Sequence, residues 1–574
     1  MITEPFVLQE KTLGELIDEN AARYPEGDAV IYVNQQLRQT WASLKRDVEI
    51  LARGLIALGV QNGDRVAIWA TNDPHWITLM FACSKIGAVL LPINTSYRKE
   101  ELKFIFEQSD TNMAFIGRGY RDHDFINTLY SVVPELATQD KEAVSCAALP
   151  EMRKFVFFGD TVHPGMYTLT EVMGELAASV SEEALAARVA EVRPHDVTNM
   201  QFTSGTTGFP KGVMLSHVNI LNNGYWIGRH QNFSHLDRVC LPVPFFHCFG
   251  CVLGIMACMN HASAIVVVEY FEPRTVLVTI EEERCTAVYG VPTMYLAMLE
   301  HKIFPTTDVS TLRTGIMAGS VCPEPLMRRA INEMNMREIT ICYGLTESSP
   351  VMTQTHADEE FNRRVSTVGR AMPGVEVRIV DPVTMEEVPR GVVGEVVCRG
   401  YNIMKGYYKM PKETAEAVSP EGWLHSGDLG KMDDEGYVII TGRNKDMIVR
   451  GGENIYPREI EEFFSAMPKV FDIQVVAVPS YTYGEEVAAF IIPRNNETIT
   501  YKDLRAFAKG RIAWQKVPRH IQCVTEFPLT ASGKIQKYLL REQAARVFSR
   551  VATKQQSGQA GGAREEERGS LIQR

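Results

Sequence analysis

Cysteine is sparse in this chain, and long uninterrupted apolar runs are missing. Its 574 residues include 11 cysteines, a usage that favours reduced thiols in a cytoplasmic compartment over a disulfide framework. The most apolar stretch, Cys248 to Tyr270, is interrupted by Asn260 and His261. It therefore predicts a buried helix and then a strand at Ala264 to Val268, with no integral membrane segment. Met1 to Glu10 lacks a basic segment followed by an apolar core, so no signal peptide is predicted.

The chain also lacks an excess of basic residues. It has 59 Lys and Arg against 70 Asp and Glu, for a net charge of −11. That charge disfavours general binding to nucleic acid or to an anionic membrane surface. Any anionic substrate must then be met by local positive charge. A chain of this length exceeds one hydrophobic core, so at least two domains are expected.

A zinc cluster is not expected either. Cys248 and Cys251 form one Cys-x-x-Cys pair beside His247, whereas a structural zinc site needs a fourth ligand and usually a second pair. The apolar surroundings favour two buried thiols.

Apolar periodicity predicts alternating helices and strands. Thr12 and Glu15 form a capping-box pattern, and apolar residues from Leu44 to Leu58 recur at helical spacing up to Gly59. The other predicted helices are Trp76 to Ile86, Glu100 to Gln108, Ser181 to Val192, one from Pro292, and Leu326 to Met334. The predicted strands are Val66 to Ala70, Ala88 to Ile93, Met113 to Ile116, Val197 to Phe202, Leu241 to Phe246, Ala264 to Val268, Thr286 to Tyr289, Arg313 to Met317 and Ile339 to Cys342. This alternation predicts a large layered α/β domain with a largely parallel sheet.

The pattern changes after Gly369. Short strands at Val375 to Val380, Gly394 to Arg399 and Tyr437 to Thr441 predict a β-rich subdomain, and an α+β pattern begins near Arg443. We therefore predict an N-terminal domain over 1–442, a small C-terminal α+β domain over 443–546, and a tail without regular structure over 551–574.

A loop rich in glycine and hydroxyl side chains follows the strand that ends at Phe202. It runs through Thr203, Ser204, Gly205, Thr206, Thr207, Gly208, Phe209, Pro210, Lys211 and Gly212. Its glycines let backbone N–H groups approach an anion, and its hydroxyls and lysine add donors and positive charge. It is not a Walker A loop, because no Gly-Lys-Ser/Thr follows four spacer residues. Alone, it fits either a polyphosphate site or a surface turn.

Four further stretches have a similar character. They are Tyr343 to Glu347, Ser426 to Asp428, Gly442 to Asp446 with Gly451 to Asn454, and Pro528 to Ile535. Singly, each could be a turn or a surface charge. In this order, with the glycine-rich loop, they resemble the motifs of the adenylate-forming superfamily, which includes acyl- and aryl-CoA synthetases, peptide-synthetase adenylation domains and firefly luciferases. The resemblance spans about Leu13 to Gln543. Within it, Asp446 to Pro457 and Ser532 to Lys537 are most similar to medium-chain fatty acyl-CoA ligases.

The resemblance implies a large N-terminal domain, a small mobile C-terminal domain and an AMP-forming fatty acid–CoA ligase of lipid metabolism. Its substrates would be a small carboxylic acid, ATP and coenzyme A, with Mg²⁺ as the metal. Four alternatives remain open. The substrate could be an aryl or alicyclic acid, or the acyl group could be transferred to a carrier-protein thiol. The protein could instead be a luciferase-like oxygenase or a non-catalytic nucleotide-binding protein. Chain length and oligomeric state are not predicted.

The resemblance also implies roles for individual residues in adenylation. The Thr203–Lys211 loop would hold the β- and γ-phosphates, and Glu347 would bind Mg²⁺, with Thr206 or Thr207 assisting. Lys534 would bridge the acid carboxylate and the α-phosphate, and His247 would lie between the acyl pocket and the thiol tunnel. The nucleotide would further contact Gly319, Ser320, Tyr343, Gly344, Thr346, Asp428 and Arg443.

Thioester formation would need a second arrangement. In the superfamily the C-terminal domain rotates after adenylation, and the position that matches its hinge is Lys445. The segment that matches the CoA tunnel is Gly451, Gly452 and Glu453.

Overall fold

The computed structural model describes residues 5–203, 210–320, 322–443, 446–450, 453–480, 483–494, 497–530 and 535–558. The chain divides into two compact units, one made of Met1–Ser426 with Lys431–Ile440 and the other of Gly427–Gly430 with Thr441–Arg574. The α/β fold class is confirmed. The assignment of 1–442 and 443–546 to adenylation and to a mobile domain stays a prediction.

Two largely parallel sheets form the centre of the first unit. The first sheet has, in spatial order, the strands Gly406–Tyr407, Lys211–Ser216, Val197–Thr203, Val89–Pro92, Arg65–Trp69, Met113–Ile116, Lys154–Phe157 and Tyr167–Thr168. The second sheet has Glu338–Thr340, Thr314–Met317, Ala287–Gly290, Arg238–Leu241, Ala264–Val267, Asp28–Tyr32 and Leu37–Thr40. Antiparallel pairs occur at the Lys211–Ser216 end of the first sheet and at Leu37–Thr40 in the second.

Helices alternate with these strands. They are Leu13–Arg23, Trp41–Ala57, Trp76–Lys85, Lys99–Gln108, Phe125–Val132, Leu169–Glu171, Glu182–Val189, His217–His230, Ala257–His261, Pro273–Glu282, Pro292–Leu299, Glu324–Glu333, Phe361–Ser366 and Pro411–Ala417, with π-helical turns at Val172–Leu176 and Phe249–Met256. Both halves of the capping box at Thr12 and Glu15 are present. In the part of the chain that the structure describes, no helix combines the length and apolarity needed to cross a bilayer.

Strand side chains alternate between separate cores. Val66 and Ile68 pack into a core that also contains apolar residues of the second sheet and of the helices Trp41–Ala57 and His217–His230. Ala67 and Trp69 point to the opposite core, as the period of two of a strand requires. Helices therefore lie between the two sheets and on their outer faces, which gives the predicted layers.

Two details of the second sheet differ from the sequence prediction. The strand expected at Leu241 to Phe246 is Arg238–Leu241 instead. Pro242 and Pro244 follow it, and proline has no N–H to donate to a strand ladder. The strand Asp28–Tyr32 was not predicted; it pairs with Ala264–Val267, far away in the sequence.

Smaller sheets follow the second sheet in the chain. One has the strands Cys342–Gly344, Val351–Gln354 and Arg370–Ala371, and the other has Val375–Val380, Gly394–Gly400, Leu424–Met432 and Val438–Arg443. They form the predicted β-rich region.

The second unit contains its own sheet and core. The strands are Glu453–Ile455, Ile448–Arg450, Gly484–Pro493, Val470–Ser480 and His520–Cys523, and the helices are Pro457–Ser465, Tyr501–Ala508 and Lys537–Gly558. The last helix continues past Val551 to Gly558. The sequence from Val551 shows no apolar periodicity, and for that reason it was predicted to lack regular structure. Residues 559–574 lie outside the described residues.

Candidate active site

A β-hairpin in the first sheet carries the glycine-rich loop. Val197–Thr203 and Lys211–Ser216 are antiparallel, and Thr203 is the direct partner of Lys211. The base of the loop is therefore closed by the two residues predicted to begin and end the phosphate site. Ser204, Gly205, Thr206, Thr207 and Gly208 lie outside the described residues.

Lys211 faces an aromatic ring. Its Nζ lies 4.8 Å from the ring centroid of Tyr407, which belongs to the neighbouring strand Gly406–Tyr407. The strand Gly406–Tyr407 pairs with Lys211–Ser216, and in this pairing Tyr407 lies opposite Val213. Lys211 and Val213 are two residues apart and so share a face of the sheet, which places the Lys211 and Tyr407 side chains on the same side.

Glu347 approaches the same tyrosine from another direction. It lies in the short helical turn Thr346–Ser348 and is 8% exposed. The Tyr407 hydroxyl donates a hydrogen bond of 2.8 Å to Glu347 Oε1. The Glu347 carbonyl oxygen accepts from Met404 N at 2.9 Å. The structure thus joins Lys211 and Glu347, two of the predicted site residues, through Tyr407.

Burial and the carboxylate act together on Tyr407. The side chain is 7% exposed. Burial first, and the charge of Glu347 second, raise the pKa of the Tyr407 hydroxyl above its ordinary value. The hydroxyl therefore stays protonated near neutral pH and remains a donor to the carboxylate.

His247 lies two residues before the π-helical segment Phe249–Met256. Its Nδ1 accepts from Phe249 N at 3.1 Å, and its carbonyl oxygen accepts from Gly250 N and Cys251 N, both at 2.9 Å. Cys248 is buried and accepts from Thr346 Oγ1 at 3.6 Å. The structure therefore brings the His247 turn and the Thr346–Glu347 turn together.

Cys248 and Cys251 are both buried thiols outside any disulfide, as expected. Cys251 Sγ lies 3.9 Å from both Asn199 Nδ2 and Met80 Sδ. Within the described ranges, no group of three or more His, Cys, Asp or Glu could hold a metal ion.

The predicted adenine-site segments follow two neighbouring strands of the second sheet. Gly319 and Ser320 come after Thr314–Met317, and Tyr343 comes after Glu338–Thr340; these strands are parallel partners. Their carboxyl ends share one edge of the sheet, where α/β proteins bind ligands. Gly344 packs so closely that a Cβ added there would lie 1.9 Å from Pro350 O.

The remaining predicted residues are only partly described. Asp428 is half-buried in the strand Leu424–Met432, and Arg443 ends the strand Val438–Arg443. Glu453 begins the strand Glu453–Ile455 and is the partner of Arg450. Lys445, Gly451, Gly452 and Lys534 lie outside the described residues.

Sequence reasoning did not identify Tyr407 and Arg450, two side chains that contact or flank the predicted site residues. Tyr407 was missed because neither it nor the neighbouring Lys405, Tyr408 and Lys409 forms a recognisable motif. Arg450, next to the Gly451–Gly452 segment, was missed because its role depends on a distant strand: it forms a buried bidentate pair with Glu486 at 2.5 and 2.9 Å. Adjacent glycines were the available signal for Arg450, and for Tyr407 the sequence holds none.

Comparisons with known proteins assign the family. Residues 17–408 match the family described as AMP-binding enzyme, and residues 459–534 match the AMP-binding enzyme C-terminal domain. YngI of Bacillus subtilis, named as an acyl-CoA synthetase, is 47% identical over 94% of this chain and 98% of its own length. The human protein named medium-chain acyl-CoA ligase ACSF2, mitochondrial, is 36% identical over 94% of this chain and 88% of its own.

Solved structures of related proteins have the same fold as this chain. ATP-bound MatB from Rhodopseudomonas palustris superposes with a TM-score of 0.80 at 27% identity, over 93% of this chain and 99% of MatB. A Mycobacterium tuberculosis fatty acyl CoA synthetase gives a TM-score of 0.66 at 26% identity, over 93% and 98% of the two chains. The chain therefore belongs to the AMP-binding enzyme family, within its AMP-forming acyl-CoA synthetases and ligases.

Proposed function

We propose that this enzyme converts a medium-chain fatty acid, ATP and coenzyme A to acyl-CoA, AMP and pyrophosphate. The joining of Lys211 and Glu347 at the base of the glycine-rich loop is the observation that carries the ATP-dependent part of the proposal. The medium-chain acid is supported by relatives of that name, 36–38% identical over nearly the whole chain.

The chemistry has two steps. In the first, a carboxylate oxygen attacks the α-phosphorus of ATP, and the bond to the oxygen bridging the β-phosphate breaks, which releases pyrophosphate. In the second, the CoA thiolate attacks the carbonyl carbon of the acyl-adenylate and AMP leaves. The first step joins two anions, so positioning and neutralisation of charge are the main demands on the protein.

The residues near Glu347 fit Mg²⁺. This ion prefers oxygen ligands and is commonly bound through one or two carboxylates together with substrate phosphates. The buried Glu347 carboxylate, linked through Tyr407 to Lys211, meets that need without a cluster of protein ligands. When bound, Mg²⁺ would supply positive charge to the phosphates; Lys211 would add to it.

The other assignments follow the motifs. The phosphates would be held by Thr203, Ser204, Gly205, Thr206, Thr207 and Gly208. Tyr343 would stack on adenine with Gly319 and Ser320 on its other side, and Gly344 and Thr346 would also contact the nucleotide. Asp428 and Arg443 would contact the ribose, and the thiol would pass along Gly451, Gly452 and Glu453. Lys534 would offset charge between the carboxylate and the α-phosphate. His247, fixed by its own turn, would separate the acyl pocket from the thiol path. The cytoplasmic compartment remains a prediction; the mitochondrial label belongs to the ACSF2 relatives.

A panel of carboxylic acids tests the substrate. Pyrophosphate release with ATP and Mg²⁺ is measured for aliphatic acids of increasing length and for aryl and alicyclic acids, and the product is identified with and without CoA. We expect the highest kcat/KM at medium chain length and acyl-CoA as the product. A preference for aryl acids, or an oxygen-dependent product, would replace the proposal by one of the alternatives.

Lys534→Ala tests the two steps separately. If Lys534 acts in the transition state of adenylation, kcat of that step falls by about three orders of magnitude, or about 4 kcal/mol, while the apparent affinity for the acid changes little. Acyl-CoA formation from presynthesised acyl-adenylate stays near the wild-type rate. A folded variant that loses both steps together would contradict the assignment, and so would one that loses neither.

A further inference from the structure

Tyr407 occupies a position between two opposite charges. Its ring faces the Lys211 ammonium at 4.8 Å, and its hydroxyl donates to Glu347 Oε1 at 2.8 Å. Glu347 lies 60 residues away in the sequence, so the tertiary structure creates this arrangement.

The backbone on both sides of Tyr407 is held by the hairpin of the glycine-rich loop. Lys405 N donates to Met214 O at 2.9 Å, and Tyr408 N donates to Gly212 O at 2.8 Å. Tyr407 N itself donates to Thr414 Oγ1 at 2.9 Å. The backbone of Tyr407 is thus fixed relative to the strand that begins at Lys211, and its ring contacts the Lys211 ammonium from there.

The same segment is also fixed relative to the Glu347 turn. Met404 N donates to Glu347 O at 2.9 Å. One short segment, 404–408, therefore connects both charged residues. Since Glu347 and Tyr407 are nearly excluded from water, the phenol hydroxyl replaces hydration that burial removes from the carboxylate, and the ring face adds a cation–π contact to the half-buried Lys211 ammonium.

We propose that Tyr407 is a positioning residue for the Mg²⁺–ATP site: its hydroxyl orients the Glu347 carboxylate for the metal, and its ring holds the Lys211 ammonium beside the loop before nucleotide binds. The proposal rests on the metal and phosphate roles proposed above for Glu347 and Lys211. It does not depend on which acid the enzyme uses.

The hydroxyl is tested by Tyr407→Phe, which keeps the ring. ATP binding is measured by calorimetry across a range of Mg²⁺ concentrations, without acid or CoA. A hydrogen bond to a charged group contributes enough to change an equilibrium about tenfold. We expect the Mg²⁺ concentration for half-maximal stimulation of ATP binding to rise about tenfold, with ATP binding in the absence of Mg²⁺ unchanged.

The ring is tested by Tyr407→Leu. Losing the ring frees a flexible lysine that ATP must then order. We expect metal-free ATP binding to weaken severalfold, in addition to the altered Mg²⁺ requirement. Tyr408→Phe is the matched control, since the Tyr408 hydroxyl donates to Asp110 Oδ2 at 2.8 Å; it should change neither quantity.

A double-mutant cycle identifies the route of the effect. If the hydroxyl acts through Glu347, Tyr407→Phe adds nothing to the Mg²⁺ requirement in a Glu347→Gln background. An equal effect in both backgrounds, or an unchanged Mg²⁺ requirement in Tyr407→Phe, overturns the proposal. A Glu347→Gln variant with a normal Mg²⁺ requirement overturns the metal role of Glu347 and this proposal together, whereas a negative acid panel overturns only the substrate assignment.

Discussion

His217 begins the helix His217–His230 and is completely buried. Its Nδ1 accepts a hydrogen bond from Leu13 N at 3.2 Å, which requires that nitrogen to be unprotonated. Burial lowers the pKa of His217 to about 3. The histidine therefore connects the first helix to the helix that follows the glycine-rich hairpin only in its neutral form.

Replacing His217 by Asn should change how stability depends on pH. An Asn side chain retains an acceptor but cannot titrate. In the unfolded chain, histidine has a pKa of about 6.5, so below that pH the unfolded state gains a proton that the folded state does not bind. The stability of the wild type relative to His217→Asn should be constant above pH 6.5 and fall by about 1.4 kcal/mol per pH unit below it.

The measurement is urea unfolding of both proteins at several pH values between 7.5 and about 4.5, within the range where both fold reversibly. His195→Asn is the control, because His195 is exposed. Parallel stability curves for wild type and His217→Asn would show that the buried imidazole does not contribute this pH dependence.

At the scale of elements, a strand pair sets the position of the Glu347 turn. Cys342–Gly344 pairs with Val351–Gln354, and the chain reverses through Thr346–Ser348 between them. Gly344 allows the two backbones to approach, since any Cβ there would overlap Pro350 O at 1.9 Å. A backbone oxygen cannot rotate away as a flexible side chain can.

Gly344→Ala should therefore lower the rate of ATP-dependent pyrophosphate release at least tenfold, since a shift of about 1 Å in a catalytic group can have larger effects. Gly174→Ala is the control: Gly174 is exposed, and outside its own helical segment no heavy atom lies within 4 Å of the added Cβ. Its activity should match that of the wild type, and its thermal stability should be equal or slightly higher, because Ala is favoured over Gly within a helical segment. A fully active Gly344→Ala variant would show that the strand pair can separate without moving Glu347.

On the scale of the whole molecule, the two compact units have separate cores. In the second unit, the buried ion pair of Arg450 with Glu486 holds the strand Ile448–Arg450, which directly precedes Gly451 and Gly452. Lys445 precedes that strand and lies outside the described residues, so its hinge role is a proposal from the motif alone.

Lys445→Pro tests that role. Proline holds φ near −65° and also restricts the preceding residue, so it should hinder a change of backbone conformation between two steps. We expect thioester formation from presynthesised acyl-adenylate to slow more than pyrophosphate exchange does. Lys445→Ala removes the same side chain without restricting the backbone and should slow neither step to that extent. Equal slowing of both reactions by proline would argue against a hinge here.

Local patterns were sufficient to predict much of this protein. The capping box at Thr12, the helical spacing from Leu44 to Leu58 and the glycine-rich loop each depend on residues close in sequence. The alternation of predicted helices and strands indicated the layered α/β fold, and the order of the glycine-rich loop and the four further motifs indicated the family through their resemblance to it. Pro242 and Pro244 show the limit of that reasoning, since apolar composition predicted a strand from Leu241 to Phe246 whereas the strand is Arg238–Leu241 and ends before the prolines.

The tertiary structure decided what local patterns could not encode. The strand Asp28–Tyr32 exists because Ala264–Val267 offers it a parallel edge. Tyr407 reaches both Lys211 and Glu347 because the strand Gly406–Tyr407 pairs beside the glycine-rich hairpin. The sequence motifs were sufficient to identify Lys211 and Glu347 as the charged residues of the candidate site. Pairing between strands distant in the sequence decided that Tyr407 contacts both of them, because such contacts form only when the chain has folded.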